Sequence, residues 1–141
     1  MNLERAIQIA AEAHMKQKDK YGAPYLGHVT RVMNAGQTED EKIVGVLHDL
    51  IEDTPWTIDD LRQEKFSERV IEAVQCLTKT SESENYDDFI DRVRNNPLAV
   101  QVKLNDLRDN MDIRRMPVVT EKDVTRLNKY IKAYRSLTES L

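Results

Sequence analysis

The sequence predicts an all-α fold of seven to eight helices. Apolar residues recur every three to four positions along most of the chain, and helix-capping residues precede several of these segments. The 141 residues include only 4 Gly and 4 Pro, most of which punctuate the chain between periodic segments. The short valine-rich stretches keep the helical spacing, so we expect no β-strand.

The first three helices are predicted from their caps and breakers. The first spans approximately residues 3–18, where apolar residues follow a helical period. The second has Pro24 in its first turn and Gly36 at its end, which are positions that these residue types favour. The third begins at Thr38 with a capping-box pattern and must end before Pro55.

The later helices are predicted from the same kinds of signal. Thr57 and Ser67 each provide a cap, Asn96 precedes a proline at the first helical position, and Thr120 starts the last helix. Residues 80–84 are the strongest loop candidate. The predicted helices span approximately 57–65, 67–79, 86–93, 97–114 and 120–137. In the last of them, the residues expected to face inward are Val124, Leu127, Ile131, Tyr134 and Leu137.

Length and composition predict one domain over residues 1–141. The chain is 40% hydrophobic and 33% charged, which excludes a disordered chain. No run approaches the roughly 20 apolar residues that a membrane-spanning helix needs, and the N-terminal residues show no signal-peptide pattern. The single cysteine, Cys76, excludes an intrachain disulfide and suits a reducing compartment. We therefore expect a cytoplasmic protein that does not engage a membrane.

The charge of the chain argues against nucleic acid as a partner. The net charge is −4, with 21 basic and 25 acidic residues spread along the sequence, whereas phosphate-backbone binding usually needs a basic excess or stripe. A small anionic ligand is compatible with this charge, because a bound divalent cation reverses the local field of an acidic pocket. The sequence does not indicate an oligomeric state.

Residues 47–54 carry an unusual set of ionisable side chains within an otherwise apolar helix. His48 and Asp49 are adjacent potential metal ligands, and Glu52 and Asp53 lie four residues after them. On a helix, this spacing places each acid one turn along from a potential ligand on the same side. The carboxylates would repel one another unless a cation were present. The stretch therefore predicts a metal site with a carboxylate pair beside it.

Two other polar positions stand in apolar segments and complete a pattern. His28 lies between Leu26 and Val29, and Asp106 follows an apolar run, with Asn110 one turn later. Taken alone, the histidine is typical of a hydrogen-bonded core residue and the acid of a solvated helix face. Together with residues 48 and 49 they form a histidine, then His-Asp after 20 residues, then an aspartate after a further 57.

This pattern resembles the HD superfamily of metal-dependent phosphohydrolases. It is more similar still to the hydrolase domain of the RelA/SpoT homologues, including the small stand-alone enzymes of the metazoan SpoT homologue type. The similarity covers roughly residues 5–115. A His-Asp pair followed by Glu-Asp-Thr is a much more specific motif than His-Asp alone. The residues that carry it include Ala13, His14, Gln17, Lys20, Gly22, Pro24, Tyr25, His28, Leu47 to Thr54, Thr78, Lys79, Val102 to Asp106, Asn110 and Met111.

The resemblance implies a single HD-type helical domain with a metal cofactor. In that family, the positions matched by His28, His48, Asp49 and Asp106 hold a divalent ion, most often Mn²⁺. By residue type alone, two imidazoles and two carboxylates suit several first-row metals, so another divalent ion stays open. Such an ion would acidify water and neutralise phosphate charge.

The resemblance also implies catalytic and substrate-binding roles. It makes Glu52 and Asp53 the acid/base pair that positions the attacking water near the 3′-diphosphate of the nucleotide. Hydrolysis needs one group to accept a proton and another to orient water or protonate the leaving oxygen. Asn110, Lys20 and Lys79 would contact the nucleotide. The implied reaction is hydrolysis of (p)ppGpp to GDP or GTP and diphosphate.

One departure from the family keeps the substrate open. Asp19 stands where the alarmone hydrolases usually carry an arginine just before the lysine matched by Lys20. Two alternatives therefore accompany the main prediction. One is phosphatase activity on another nucleotide, such as a nucleoside monophosphate or NADPH, and the other is a non-catalytic domain that binds metal or nucleotide. No synthetase-like segment follows the hydrolase-like region in the sequence, so a stand-alone hydrolase is expected.

Overall fold

A computed structural model describes residues 2–139 and 141. These residues form nine α-helices and one 3₁₀ turn, with no β-strand beyond a single bridge between Lys18 and Pro24. The all-α prediction is confirmed, and the predicted count of seven to eight is reached when α3 and α4 are taken as one interrupted helix. The elements are α1 Leu3–Ala13, α2 Tyr25–Ala35, α3 Glu39–Leu47, α4 Leu50–Asp53, α5 Ile58–Gln63, α6 Glu68–Cys76, α7 Tyr86–Arg94, α8 Pro97–Asn110, the 3₁₀ turn Ile113–Arg115, and α9 Glu121–Glu139.

The predicted caps begin the helices, while three predicted helix ends are wrong. Helix α1 stops at Ala13 because the following segment folds into a turn, in which the Asp19 carboxylate accepts hydrogen bonds from the backbone N–H groups of Tyr21 and Ala23. Helix α6 stops at Cys76, and α8 at Asn110. Beyond these two ends, side chains take up backbone donors that a longer helix would have used, because Glu52 accepts from the N–H of Lys79 and Asp112 from that of Arg114.

The core of the bundle lies around α3 and α8. Helix α3 packs against α1, α2, α6 and α8, and α8 also packs against α7 and α9. Nine of the fourteen residues of α8 are buried, including the polar residues Lys103, Asn105 and Asp106. A helix that is buried on nearly all sides brings its polar residues into the interior, where they need partners. The polar residues of α8 therefore lie in the interior, where the same helix and neighbouring helices must supply their partners.

The predicted inner face of α9 is partly wrong. Val124 and Ile131 are 48% and 46% exposed, whereas Ala133 and Leu137 are buried. The buried face is turned because Asp123, at 3% exposure, accepts hydrogen bonds from Thr120, Tyr21 and Arg126. No helix in the described part of the chain is long and apolar enough to cross a membrane.

Gly45 allows α2 and α3 to approach closely near the predicted metal ligands. A Cβ atom at this position would lie 3.1 Å from Met33 Cα and 3.2 Å from Val32 O, both backbone atoms of α2. Backbone atoms in a packed helix cannot move away cheaply. The Gly45 carbonyl also accepts a hydrogen bond from His48 Nδ1, at 2.6 Å. Gly45 therefore sets both the spacing of the two helices and the position of His48.

We expect Gly45→Ala to destabilise the fold. Overpacking costs about 1–3 kcal/mol, and the better helix propensity of alanine offsets about 1 kcal/mol, so the free energy of unfolding should fall by about 1 kcal/mol, and further for Gly45→Val. Urea denaturation followed by circular dichroism measures this change. Gly27→Ala is the matched control, because a Cβ there meets only the flexible tip of Arg31. A Gly45→Ala protein at least as stable as Gly27→Ala would contradict the interpretation.

Candidate metal centre and adjoining cavities

Four side chains from three parts of the bundle converge on one point. His28 comes from α2, His48 and Asp49 from the junction of α3 and α4, and Asp106 from α8. Asp106 Oδ1 lies 2.9 Å from His28 Nε2 and 3.3 Å from His48 Nε2. Asp49 Oδ2 lies 3.0 Å from His48 Nε2 and 3.6 Å from His28 Nε2. The structure thus brings together all four residues that the sequence pattern singled out as metal ligands.

The interruption between α3 and α4 aims the His-Asp pair at this point. His48 ends α3 in a helical conformation, and Asp49 follows with φ −101° and ψ 1° before α4 begins. The hydrogen bond between His48 Nδ1 and the Gly45 carbonyl makes Nδ1 the donor, which leaves Nε2 free to act as a ligand. The adjacent residues therefore present one nitrogen and one carboxylate to the same site.

His28 is oriented by a carboxylate instead of a carbonyl. Its Nδ1 lies 2.7 Å from Asp109 Oδ2, so its Nε2 points toward Asp106. Arg31 donates to both oxygens of Asp109, at 2.7 and 3.2 Å, and Arg115 donates to Asp109 Oδ2 at 3.2 Å. Carboxylates that accept the second ring proton of a histidine fix its orientation and increase its basicity as a ligand.

The two aspartates of the cluster also have outer partners. Lys103 Nζ donates to Asp106 Oδ2 at 2.9 Å, and Asn110 Nδ2 donates to Asp106 Oδ1 at 3.1 Å. The Tyr25 hydroxyl donates to Asp49 Oδ2 at 2.5 Å. Buried carboxylates need such partners, because an unpaired buried charge is strongly destabilising.

The pKa values of the acids and of the imidazoles in the cluster are shifted in opposite directions. Burial acts to lower the pKa of His28, but its hydrogen bonds to carboxylates raise it above its ordinary value. Burial acts likewise on His48, where Asp49 and Asp106 raise the pKa well above the ordinary value. Burial acts to raise the pKa of Asp49, yet His48 lowers it to about 2, and Lys103 holds the pKa of Asp106 well below its usual range. The site thus favours positive charge, as protons or as a cation, between two ionised carboxylates.

The residues present fit a divalent metal ion. His48 Nε2 is buried and, despite its short distances to both acids, has no hydrogen bond of favourable geometry among the described residues. The ligand atoms of His28, His48 and Asp49 lie within 4.8 Å of one another. A mixed nitrogen and oxygen donor set suits several first-row metals. The chemistry of the donors is therefore consistent with the predicted metal ligands.

The two predicted acid/base residues lie in different surroundings. Glu52 faces the same cavity as His48, Asp49 and Asp106, and its Oε1 accepts a hydrogen bond from the Lys79 backbone N–H at 2.6 Å. Asp53 does not line that cavity but a surface depression that Glu52 shares, and its Oδ2 accepts a hydrogen bond from Gln17 at 3.3 Å.

Both carboxyl groups are more basic than usual. Partial burial is the main cause that raises the pKa of each, and the charge of Asp49 adds to it. A carboxyl group with a raised pKa exchanges protons more readily near neutral pH. Glu52 lines the cavity and can contact a molecule inside it, whereas Asp53 does not line the cavity.

Two cavities meet at the cluster of His28, His48, Asp49 and Asp106, called here the metal-ligand cluster. The metal-side cavity, of about 160 Å³, is lined by residues that include His48, Asp49, Glu52, Lys79, Tyr86, Lys103, Asp106, Lys129 and Tyr130. The outer cavity, of about 280 Å³, is lined by residues that include Lys18, Asp19, Lys20, Tyr21, His28, Arg115, Arg126 and Tyr130. Of the predicted substrate-binding residues, Lys79 lines the first, Lys20 the second, and Asn110 both.

Asp19, the departure noted in the sequence, lies in the wall of the outer cavity. One of its carboxylate oxygens shapes the turn at Tyr21 and Ala23, and the other lies 3.7 Å from Arg115 Nη1. The guanidinium group of Arg115 therefore stands beside the carboxylate in this cavity. Arg115 also forms an ion pair with Asp109, the carboxylate that orients His28.

Sequence reasoning missed several residues that surround the cluster. Asp109 and Lys103 lie three residues either side of Asp106, so one helical turn places them next to it. This spacing was a usable signal. Tyr25 is among the residues that carry the family resemblance, but nothing in the local sequence indicates its hydrogen bond to Asp49. Lys129 comes from a helix that lies far away in the sequence, and no local signal marked it.

Comparisons with known proteins find sequence relatives for most of the chain. No protein-family model matches it. It is 32% identical over 120 residues to the guanosine-3′,5′-bis(diphosphate) 3′-pyrophosphohydrolase of Aquifex aeolicus, which covers 77% of this chain. It is 29% identical over 123 residues to the bifunctional (p)ppGpp synthase/hydrolase SpoT of Escherichia coli, again over 77% of the chain. The match spans only 17% of the length of either relative.

A solved structure shares the fold. The structure of a metazoan ortholog of SpoT, described as hydrolysing ppGpp and playing a role in starvation responses, superposes with a TM-score of 0.79. It is 23% identical in sequence, and the match covers 96% of this chain and 84% of that one. The all-helical bundle in which two histidines and two aspartates meet agrees with the HD-type fold predicted from the sequence. Over the matched region, this chain is therefore a homologue of the SpoT/RelA proteins.

The contacts of Asp109 predict that it supports metal binding without touching the ion. We expect Asp109→Ala to weaken Mn²⁺ affinity by about 10- to 100-fold, because outer partners of metal-binding histidines typically contribute that much. Competition with a chelating indicator measures the affinity. Asp59→Ala is the control, since Asp59 is exposed and pairs only with Arg62. An unchanged affinity in folded Asp109→Ala protein would show that His28 does not depend on this carboxylate.

Proposed function

We propose that residues 1–141 act as one metal-dependent phosphohydrolase domain that removes diphosphate from the 3′ position of guanosine tetra- or pentaphosphate. The observation that carries this proposal is the convergence of His28, His48, Asp49 and Asp106 beside Glu52, at the floor of a cavity that adjoins a second, cation-lined cavity. The names of the sequence relatives and of the structural neighbour support the choice of reaction.

We infer that His28, His48, Asp49 and Asp106 hold the cofactor, which we propose to be Mn²⁺. The four donors fit several divalent ions, and the resemblance to alarmone hydrolases favours manganese. Such an ion, when bound, supplies charge neutralisation at phosphate and acidifies water. The side chains that orient the ligands are Asp109, Tyr25, Lys103 and Asn110.

The residues of the chain divide the hydrolysis between them. Water adds to the phosphorus atom bound to the 3′ oxygen, the bond between that phosphorus and the 3′ oxygen breaks, and the 3′ oxygen gains a proton. Glu52 faces the cavity and has a raised pKa, so it is suited to take the proton from water. Asp53, held by Gln17, would orient the water or return a proton. Lys79, Lys20 and Asn110 would bind the nucleotide.

One observation favours a second candidate function. Asp19 places a carboxylate in the wall of the outer cavity, beside Arg115 and Lys20. An anion there weakens the attraction for a second phosphorylated arm, so the same site acting on a nucleoside monophosphate or on NADPH is the alternative. The single cysteine and the small-molecule site support a proposal of a cytoplasmic enzyme whose partner is a nucleotide.

A substrate panel separates these candidates. Mn²⁺-loaded protein is assayed against ppGpp, pppGpp, NADPH and nucleoside monophosphates, and released phosphate is distinguished from released diphosphate. Diphosphate from ppGpp or pppGpp supports the main proposal. Phosphate release from another nucleotide alone supports the alternative. No release from any of them in metal-replete protein would instead indicate a domain that binds metal or nucleotide without turnover.

Two substitutions test the assigned division of labour. We expect Asp49→Ala to lose the metal, because it removes a ligand, and Glu52→Gln to keep the metal but to react about 10²- to 10⁴-fold more slowly, because proton transfer is lost. Metal content by elemental analysis and the rate of ppGpp hydrolysis are measured on the same preparations. Full metal occupancy in Asp49→Ala would refute the ligand assignment, and an unchanged rate in Glu52→Gln would refute the catalytic one.

A further inference from the structure

Lys129 is a cation in the metal-side cavity that the family pattern does not include. It lies in α9, near the opposite end of the sequence from the His-Asp pair, and lines the cavity together with Asp49 and Glu52. The cavity also contains Lys79 and Lys103. Three lysines from three different elements therefore surround the space above the metal-ligand cluster.

Aromatic rings hold the Lys129 ammonium group in place. Its Nζ lies 4.5 Å from the centroid of the Tyr86 ring and 5.5 Å from that of Tyr130, and both tyrosines line the same cavity. Cation–π contacts of this kind attract an ammonium group without neutralising its charge. The side chain is thus restrained at the cavity while its positive charge stays available to a ligand.

The charge of Lys129 has no carboxylate partner in the described part of the chain. Lys103, by contrast, pairs with Asp106 at 2.9 Å, and Lys132, one turn further along α9, lies 3.5 Å from Asp87. Burial, followed by the charges of Lys79 and Lys103, lowers the pKa of Lys129. Cations that repel one another beside an open cavity are stabilised when an anion binds between them.

We propose that Lys129 is a substrate-binding residue that contacts the diphosphate group to be removed. This inference rests on the proposed hydrolase function and deepens it, because it assigns the leaving diphosphate to a space enclosed by α4, the segment at Lys79 and α9. A diphosphate has several oxygen atoms. Some of them can face the proposed metal ligands while another contacts Lys129, because all of these residues line the same cavity. The last helix then acts as part of the active site and not only as packing.

The test compares Lys129→Met with Lys132→Met in the Mn²⁺-loaded protein. Lys132 is the matched control, since it is an exposed lysine on the same helix and lines neither cavity. We expect Lys129→Met to raise KM for ppGpp by about tenfold or more, as the loss of one charge-assisted contact would do, with kcat little changed. The inhibition constant of inorganic pyrophosphate should rise by a similar factor. Lys129→Arg should keep most of the affinity, because it keeps the charge.

The outcomes separate this inference from the proposed function. If wild-type protein hydrolyses ppGpp but Lys129→Met matches Lys132→Met in KM and in pyrophosphate inhibition, the role of Lys129 is refuted and the hydrolase function stands. If wild-type protein does not hydrolyse ppGpp, the proposed function fails, and the thermal stabilisation of metal-loaded protein by pyrophosphate decides. A stabilisation that is lost in Lys129→Met alone then supports a diphosphate contact, and an equal stabilisation in both variants overturns it.

Discussion

The close approach of two ionised carboxylates to two buried imidazoles is the constraint on which the rest of this structure depends. Asp49 and Asp106 lie within 3.6 Å of the same two histidine nitrogens in the interior of the bundle, where an uncompensated charge would be strongly destabilising. Neighbouring side chains in the fold provide partners for these charged and polar groups. Lys103 neutralises Asp106, and Asp109 fixes His28 while two arginines hold it. This explains why α8, the most buried helix, carries so many polar residues.

The ligand cluster and the groups proposed to react differ in how firmly they are held. The histidines, Asp106 and Lys103 are buried in the bundle, whereas Glu52, Asp53, Lys79 and Lys129 are exposed. Rigid support favours precise metal coordination, and partial exposure lets substrate and water enter. The break between α3 and α4 joins the two regions, because it consists of His48 and Asp49 and the two acids follow one turn later. A single short segment thus connects the core to the cavity.

The outer cavity contains Asp19, the departure from the family pattern that the sequence analysis noted. Asp19 replaces the family's usual arginine, yet Arg115 approaches it from the turn after α8. Arg126 and Lys129 add positive charge from α9. Cations therefore reach the outer cavity from two regions of the chain, with Lys18 and Lys20 from the segment between α1 and α2 and Arg115 and Arg126 from the C-terminal third.

The sequence by itself determined the helical class, the helix starts and the four ligand candidates, because caps, apolar periodicity and adjacent ligand residues are local signals. It also supported the RelA/SpoT resemblance, which the relatives confirmed. Three helix ends were not predicted, because a helix end depends on competing partners from elsewhere in the chain. Glu52, for example, accepts a hydrogen bond from the backbone N–H of Lys79. The orientation of α9 was not predicted for a similar reason: Asp123 is buried by contacts with Tyr21, about a hundred residues away. Asp109 could have been placed beside the cluster from its spacing to Asp106 on one helix. Only the tertiary structure could bring Tyr25 and Lys129 there, because their positions follow from how helices pack and not from their neighbours in the sequence.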